Sequence, residues 1–242
     1  MNQIEFTQYY WGPYILSAVV DDEFIDELLM KGEECREKSK LDARPYLAAT
    51  IGRAFYYDNW EDWFLPRISP YIDGYLRGVS NYRKNAFNYL LPEHERGSIY
   101  PNVASGIQKD LSVSWRVDKV WINYQESFEY NPPHTHSGSM SFVIYAKVPK
   151  EIEEENERMH GVHNNSGPGM INFEYGEDAP FSLAKIHKLP SVGEIFIFPY
   201  WLRHYVFGFS SEVERVSVSG NVTVEAYIRD NSQNTGTMRV PD

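Results

Sequence analysis

The chain has 242 residues, of which 42% are hydrophobic and 24% are charged, so it can bury a core and wholesale disorder is excluded. Its formal net charge of -11 would repel a phosphate backbone, which disfavours nucleic acid as a partner. The single cysteine, Cys35, excludes an intramolecular disulfide framework and a cysteine-rich zinc site. Since no segment approaches the length of a membrane span, we expect a soluble protein of the reducing cytoplasm.

The first part of the chain is predicted to be helical. Asp22 is a good N-cap type, and apolar residues after it recur at helical spacing, which predicts one amphipathic helix that continues to Lys40. A second helix is predicted after Asn59, although Pro66 and Pro70 are expected to kink or shorten it. Both helices are expected to be packing elements that support the rest of the molecule.

Strands dominate from about Leu111 onward, because hydrophobic residues such as Val113, Trp115 and Val117 then alternate with polar ones. Further strands are predicted at Met140 to Lys147, Gly169 to Tyr175, Ala184 to Leu189, Glu194 to Phe198, His204 to Phe207, and Glu214 to Tyr227. Short strands without helical crossovers predict a mainly β barrel or double-sheet jelly roll.

These elements predict a single domain over residues 1–242. It is expected to consist of a mainly helical support region at 1–110, a jelly-roll core at 111–230 and a C-terminal tail at 231–242. The acidic stretch from Pro149 to Gly169 has few apolar residues and ends in turn formers, so it is predicted to be a long loop, either a lid or an idle surface insertion.

Two histidines, His134 and His136, follow a pair of prolines. In an extended chain, residues two positions apart project from the same face with about 7 Å between their Cα atoms. Such imidazoles could bind one metal ion, but they could equally lie on a solvated turn. The acidic stretch further along the chain also contains His160 and His163, which are expected to be solvated.

A third histidine, His204, begins a strand, and the next strand carries Arg215, Ser217 and Ser219 on one face. A short hairpin loop between these strands would place His204 opposite Arg215. This face is either the solvated side of a sheet or the polar interior of a barrel. In the second case three histidines could hold Fe(II) on one side, and the arginine could pair with the far carboxylate of a chelating dicarboxylate.

Three motifs resemble the Fe(II)/2-oxoglutarate-dependent oxygenases, particularly a prolyl-hydroxylase-like branch with bacterial and phage members. They are HxH at His134 and His136, FPxWLxH ending at His204, and RxS at Arg215 and Ser217. The resemblance covers the chain from Trp121 to Val222. It implies a double-stranded β-helix (jelly roll, cupin-like) with N-terminal supporting helices, Fe(II) as the metal and 2-oxoglutarate as cosubstrate. The predicted location is cytoplasmic, in the host cell if a phage encodes the protein.

The resemblance also implies a role for particular residues. Tyr124 and Tyr145 fall where related hydroxylases place tyrosines that contact the cosubstrate, and core packing is the alternative for both. The implied iron ligands are His134 and His204, and the implied partners of the distal 2-oxoglutarate carboxylate are Arg215 and Ser217.

One position departs from the family's pattern, in which an aspartate or glutamate stands two residues after the first histidine. Here that residue is His136, and we expect it to replace the carboxylate in a three-histidine site, which leaves the iron more positive by one charge. In the alternative, His136 is the first ligand and Gly138 marks an empty carboxylate position that admits a halide, as in the family's halogenases.

By this resemblance the predicted reaction is hydroxylation of an unactivated C–H bond of a protein side chain or small molecule, coupled to conversion of 2-oxoglutarate and O₂ to succinate and CO₂. One alternative is a three-histidine cupin-type dioxygenase that needs no 2-oxoglutarate, against which Arg215 with Ser217 argues. The other is a non-catalytic jelly-roll binding module, which predicts neither bound iron nor turnover.

Overall fold

Two antiparallel sheets form the framework of the computed structural model, which describes residues 12–36, 38–82, 86–90, 111–159, 167–180 and 182–228. The major sheet has the strand order β1 (Leu16–Val19), β8 (Glu194–Pro199), β5 (Met140–Lys147), β10 (Arg215–Ile228), β3 (Leu111–Gln125) and β2 (Arg53–Tyr56). The minor sheet has the order β4 (Asn131–His134), β9 (Arg203–Val206), β6 (Ile171–Glu174) and β7 (Lys185–Lys188). The predicted 231–242 tail, His160 and His163 lie outside the described residues.

The two faces of the major sheet have different environments, because side chains alternate along each strand. Val216 and Val218 of β10 join a large core beneath the helices α1 (Asp22–Arg36) and α2 (Glu61–Tyr82). Arg215 and Ser217 point the other way and line a cavity between the sheets. A second, smaller apolar cluster beside that cavity holds the sheets together: Val143, Tyr145, Ile171, Phe173, Phe196, Phe198 and Leu202.

The second helix is not shortened by its prolines. α2 runs for 22 residues through both Pro66 and Pro70. Pro70 has no N–H to offer the Pro66 carbonyl, and the Ser69 hydroxyl donates to that carbonyl instead, at 3.3 Å. Fully buried Ile68 and Ile72 anchor the other side of the helix in the core. Within the described part of the chain, no helix combines the length and apolar character needed to cross a membrane.

The strands predicted within the jelly roll are confirmed, and three further strands lie at sheet edges. β1, β2 and β4 have only four residues each, so their sequences show little periodicity. β4 contains Pro132 and Pro133, which have no N–H to donate to a ladder and are tolerated because β4 is an edge strand. The sequence pattern therefore did not predict β1, β2 and β4.

The prediction of a loop over Pro149–Gly169 was wrong for its first half, which forms the helix α3 (Lys150–Met159). Only Ile152 gives this helix a buried apolar anchor. Its other buried positions, Glu155 and Asn156, are polar and bond to distant loops. An apolar stripe is the usual sequence signal of a helix, and this helix lacks one.

The predicted hairpin between the strands of His204 and Arg215 was also wrong. β9 pairs with β4 and β6 in the minor sheet, whereas β10 pairs with β3 and β5 in the major sheet. The connecting segment 207–214 therefore crosses from one sheet to the other. His204 and Arg215 face each other across the interior, rather than lying side by side in one ladder.

Candidate metal and cosubstrate site

Three histidines converge between the sheets. Pairing of β4 with β9 sets His134 opposite His204, and the chain then turns so that His136 reaches the same point. One ring nitrogen from each lies within 4.8 Å of the others. The Nε2 atoms of His136 and His204 are 3.1 Å apart. Two ligands at right angles on one ion, each bonded at about 2.1 Å, would be separated by about 3 Å, so this spacing fits a shared metal.

Backbone carbonyls orient two of the rings in the same way. His134 Nδ1 lies 2.7 Å from the Pro132 carbonyl oxygen, and His204 Nδ1 lies 2.9 Å from that of Leu202. When each Nδ1 donates its proton to the carbonyl, Nε2 keeps a free lone pair. This outer contact is typical of metal-binding histidines, because it sets the tautomer and the ring plane.

Burial keeps all three imidazoles neutral. It lowers the pKa of His134, although the Pro132 carbonyl partly opposes this. Burial and the neighbouring His134 lower the pKa of His136 to about 3. Burial, with both other histidines, lowers the pKa of His204 well below its usual range. A metal ion therefore meets three neutral imidazoles at neutral pH.

Arg215 brings a buried positive charge to the same cavity and is only 3% exposed. Its guanidinium donates to the Gly169 carbonyl at 2.6 Å and to Gln125 Oε1, both neutral acceptors. Among the described residues no carboxylate forms an ion pair with it, and its Nε–H has no partner. A buried guanidinium held only by neutral groups is suited to bind an anion from outside the protein.

A second unpaired donor lies beside this arginine. Tyr145 is 1% exposed, its ring centroid is 5.3 Å from Arg215 Cζ, and its hydroxyl has no hydrogen-bond partner among the described residues. Burial raises the pKa of Tyr145 to about 12, so the phenol keeps its proton. Ser217 pairs in register with Tyr145 and lines the cavity too. These groups form a donor-rich wall.

One cavity of about 180 Å³ contains both sets of groups. Arg215 pairs in register with Gln125, and Ser219, two side-chain rows along the same face, pairs with Trp121. The Trp121 ring is 6.1 Å from the His136 ring. The donor-rich wall therefore begins near the histidines and extends along β10 to the arginine.

Tyr124 does not share this position. It lies on the other face of β3, within the core beneath α1, where Arg36 Cζ is 4.2 Å from its ring centroid. The predicted cosubstrate contact is therefore wrong for Tyr124, and the core-packing alternative holds. Its strand neighbours Asn123 and Gln125, which the sequence analysis missed, line the cavity instead. Their spacing of two residues in the otherwise apolar stretch 120–125 of the strand was the available signal.

Gly138 offers no empty ligand position at this site. Its φ angle of +92° favours glycine, and a Cβ atom at this position would come within 2.9 Å of the Val222 carbonyl oxygen, so backbone geometry explains the residue. It is absent from the described lining of the cavity, whereas His134 and His136 are both present. The halide alternative therefore finds no support in the geometry.

Comparisons with known proteins give one family match and several similar structures. Residues 119–221 match the family described as "Putative 2OG-Fe(II) oxygenase". A Pseudomonas putida prolyl-4-hydroxylase has a similar structure, with a TM-score of 0.50, 11% identity, and coverage of 85% of this chain and 90% of that one. The non-haem α-ketoglutarate-dependent carbocyclase SnoK of nogalamycin biosynthesis also has a TM-score of 0.50, with 11% identity and coverage of 91% and 83%. No curated protein sequence matches the chain.

The matched segment contains all three histidines, Arg215 and Ser217. The resemblance to the 2-oxoglutarate- and Fe(II)-dependent oxygenases is confirmed, and the jelly-roll fold agrees with it. Residues 119–221 therefore carry the site of a non-haem oxygenase of this class, with Fe(II) as metal and 2-oxoglutarate as cosubstrate.

Proposed function

We propose that this oxygenase hydroxylates an unactivated C–H bond, with iron on His134, His136 and His204 and the distal carboxylate of 2-oxoglutarate on Arg215. The observation that carries the proposal is the buried Arg215, which has no carboxylate partner among the described residues and shares one cavity with the histidines. A cupin-type dioxygenase that binds its substrate directly has no general need for such a group.

The three histidines have one task in this proposal, which is to hold the metal on one side. Bound Fe(II) supplies the oxidative chemistry, which couples C–H hydroxylation to conversion of 2-oxoglutarate and O₂ to succinate and CO₂. Three protein ligands leave the other coordination positions open for small molecules. The carbonyls of Pro132 and Leu202 hold the rings of His134 and His204 in place.

The wall along β10 orients the cosubstrate. Arg215 and Tyr145 each offer a buried N–H or O–H donor without a partner in the described part of the chain, and a carboxylate can accept from both. Ser217 adds a hydroxyl on the same face. Because Tyr145 stays protonated, it acts as a donor and does not repel the anion. Apolar neighbours such as Val143 and Ile171 exclude water from this part of the cavity.

The substrate proposed from the sequence is a peptide side chain or a small molecule. The net charge of -11 supports this over nucleic acid. A cytoplasmic location is likewise a proposal, supported by the one cysteine, Cys35, which is free and buried.

Anaerobic titration tests the proposed function. The metal-free protein is loaded with Fe(II), and 2-oxoglutarate is added while the visible absorption of its iron chelate is followed. A saturable band that is lost in Arg215→Ala is expected. Iron binding without any band would favour the cupin-type alternative, and failure to bind iron would favour a non-catalytic binding module.

A further inference from the structure

We propose that helix α3 is a clamp that positions Arg215, with Glu155 and Asn156 as its positioning residues, and that it thereby sets the affinity for the cosubstrate's distal carboxylate. This inference rests on the proposed function. It concerns two residues that line neither the metal site nor the cavity that holds the histidines. Each of them reaches one of the two segments that enclose the guanidinium.

The first segment is the turn at 167–169, whose last carbonyl accepts the 2.6 Å hydrogen bond from Arg215. Asn156 Nδ2 donates to the Pro168 carbonyl at 2.9 Å. Gly169 has a φ angle of +73°, and a Cβ atom there would come within 2.4 Å of Ile152 Cγ2. The turn is therefore pressed between α3 and the guanidinium, with no room for a side chain.

The second segment is the crossing between the sheets, where the Glu155 carboxylate accepts several hydrogen bonds. Ser210 N–H lies 2.8 Å from Oε1, while the Ser211 N–H and hydroxyl lie 2.8 and 2.6 Å from Oε2. Glu155 is 8% exposed and forms no ion pair with a described residue, so these bonds hold its charge. Burial raises the pKa of Glu155, but the serine hydrogen bonds outweigh it, and the net pKa is lowered.

The two segments also bond to each other, which makes the clamp continuous. Gly169 N–H donates to the Gly208 carbonyl at 3.3 Å, and Phe207 N–H donates to the Met170 carbonyl at 3.0 Å. Phe209, which is 2% exposed, places its ring centroid 5.9 Å from Arg215 Cζ. The guanidinium thus contacts Gly169 on one side and Phe209 on another. α3 fixes both of these residues through hydrogen bonds to their chain neighbours Pro168 and Ser210.

The polar composition of α3 is consistent with this positioning role. The helix has one buried apolar side chain, so its place on the jelly roll depends on polar contacts to the very segments that touch Arg215. Because no carboxylate of a described residue fixes the guanidinium, its position for an incoming anion depends on these neighbours.

The test compares Glu155→Gln with Glu157→Gln, a change at an exposed position of the same helix. A glutamine side chain keeps one acceptor oxygen but replaces the other with an NH2 group. That group cannot accept the hydrogen bonds that the Ser210 and Ser211 N–H groups donate to Glu155. Fe(II) affinity, 2-oxoglutarate affinity and oxalate affinity are measured on each anaerobic protein. Oxalate serves as a metal chelator without a distal carboxylate, so its binding does not depend on Arg215.

We expect Glu155→Gln to weaken 2-oxoglutarate binding about tenfold, less than direct loss of Arg215, and to leave Fe(II) and oxalate affinities unchanged. Glu157→Gln should match the wild type. Asn156→Ala, which removes the other contact, should weaken 2-oxoglutarate binding with the same selectivity, and it is the test variant if Glu155→Gln does not fold.

Unchanged 2-oxoglutarate affinity, or an equal loss of oxalate affinity, would overturn the proposal that α3 positions Arg215. A wild-type protein that binds iron but no 2-oxoglutarate would instead overturn the proposed function, and this inference with it.

Discussion

Nε2 of His136 lies 3.1 Å from Nε2 of His204, although the residues are 68 positions apart in the chain. The His204 Nδ1–H points to the Leu202 carbonyl, so its Nε2 is the acceptor, and the His136 Nε2–H donates to it. A metal ion placed between these atoms would replace that proton and require the other His136 tautomer. The pair therefore already has the spacing of two metal ligands and differs from them only in which His136 nitrogen carries the proton.

The first prediction concerns metal uptake. His134→Ala or His204→Ala should lose stoichiometric Fe(II) binding, because two imidazoles cannot replace three convergent ligands. Metal content after anaerobic reconstitution and desalting checks this. His187→Ala is the matched control, since His187 is exposed on β7 and its variant should bind iron normally. Full iron occupancy in His204→Ala would exclude this site.

The second prediction concerns the ligand that departs from the family's pattern. His136→Ala should bind Fe(II) more weakly, whereas His136→Asp supplies a carboxylate at that position and should keep iron and some 2-oxoglutarate turnover. Iron affinity and succinate release are the measurements. Wild-type affinity and turnover in His136→Ala would show that this ligand is not needed. Spectral changes of the wild-type complex on adding chloride or bromide would revive the halide alternative.

The third prediction concerns the buried arginine. Arg215→Ala should raise the dissociation constant of 2-oxoglutarate about 30-fold or more, because truncating one partner of a buried charge pair costs about 2–5 kcal/mol. Fe(II) binding should be spared, since the arginine does not belong to the histidine cluster. Arg203→Ala, at an exposed arginine of β9, is the control and should bind the cosubstrate like the wild type. Equal affinities in both variants would point to the cupin-type alternative.

The fourth prediction uses two tyrosines whose buried hydroxyls both lack a partner among the described residues. Tyr145→Phe should weaken 2-oxoglutarate binding about tenfold, because it removes a donor to a carboxylate, while raising the free energy of unfolding of the apoprotein by about 1 kcal/mol. Tyr124→Phe should stabilise similarly and leave cosubstrate affinity unchanged, since Tyr124 lies beneath α1. Isothermal titration and urea unfolding measure the two effects. Weaker 2-oxoglutarate binding in Tyr124→Phe would instead support the predicted contact between Tyr124 and the cosubstrate.

The fifth prediction concerns pH and the metal-free protein. The pKa of His136 is lowered to about 3 in the folded state, so at mildly acid pH the unfolded chain binds a proton that the folded chain does not. Stability should therefore fall as pH drops below about 6.5, the ordinary histidine pKa. Between pH 7 and pH 5 the wild type should lose about 2 kcal/mol more than His136→Gln, because each pKa unit corresponds to about 1.4 kcal/mol.

Urea unfolding of both apoproteins at the two pH values makes this comparison. The carboxylates are common to both proteins, and burial, the largest cause of the lowered pKa values of His134 and His204, acts in both, so these contributions largely cancel in the difference. Parallel losses of stability in the two proteins would mean that His136 is not held neutral by burial.

Alternation along the strands was sufficient to predict most of the jelly roll and the face that carries chemistry. Arg215 and Ser217 are two residues apart, and so are Val216 and Val218, so the polar and apolar sides of β10 follow from the sequence alone. The motifs likewise identified the histidines before their convergence was visible. Tyr124 is in phase with Ile122, and the same alternation would have placed it on the apolar face, although the family resemblance suggested otherwise.

The tertiary structure alone decided which groups meet across the interior. Whether the segment 207–214 turns back as a hairpin or crosses between sheets depends on strand pairing with distant partners, and local periodicity does not carry that information. α3 was missed for a related reason, because Glu155 is satisfied by Ser210 and Ser211, more than fifty residues further along the chain. Local pattern determines the side of an element on which a residue lies, whereas long-range hydrogen bonds and sheet order determine what it touches.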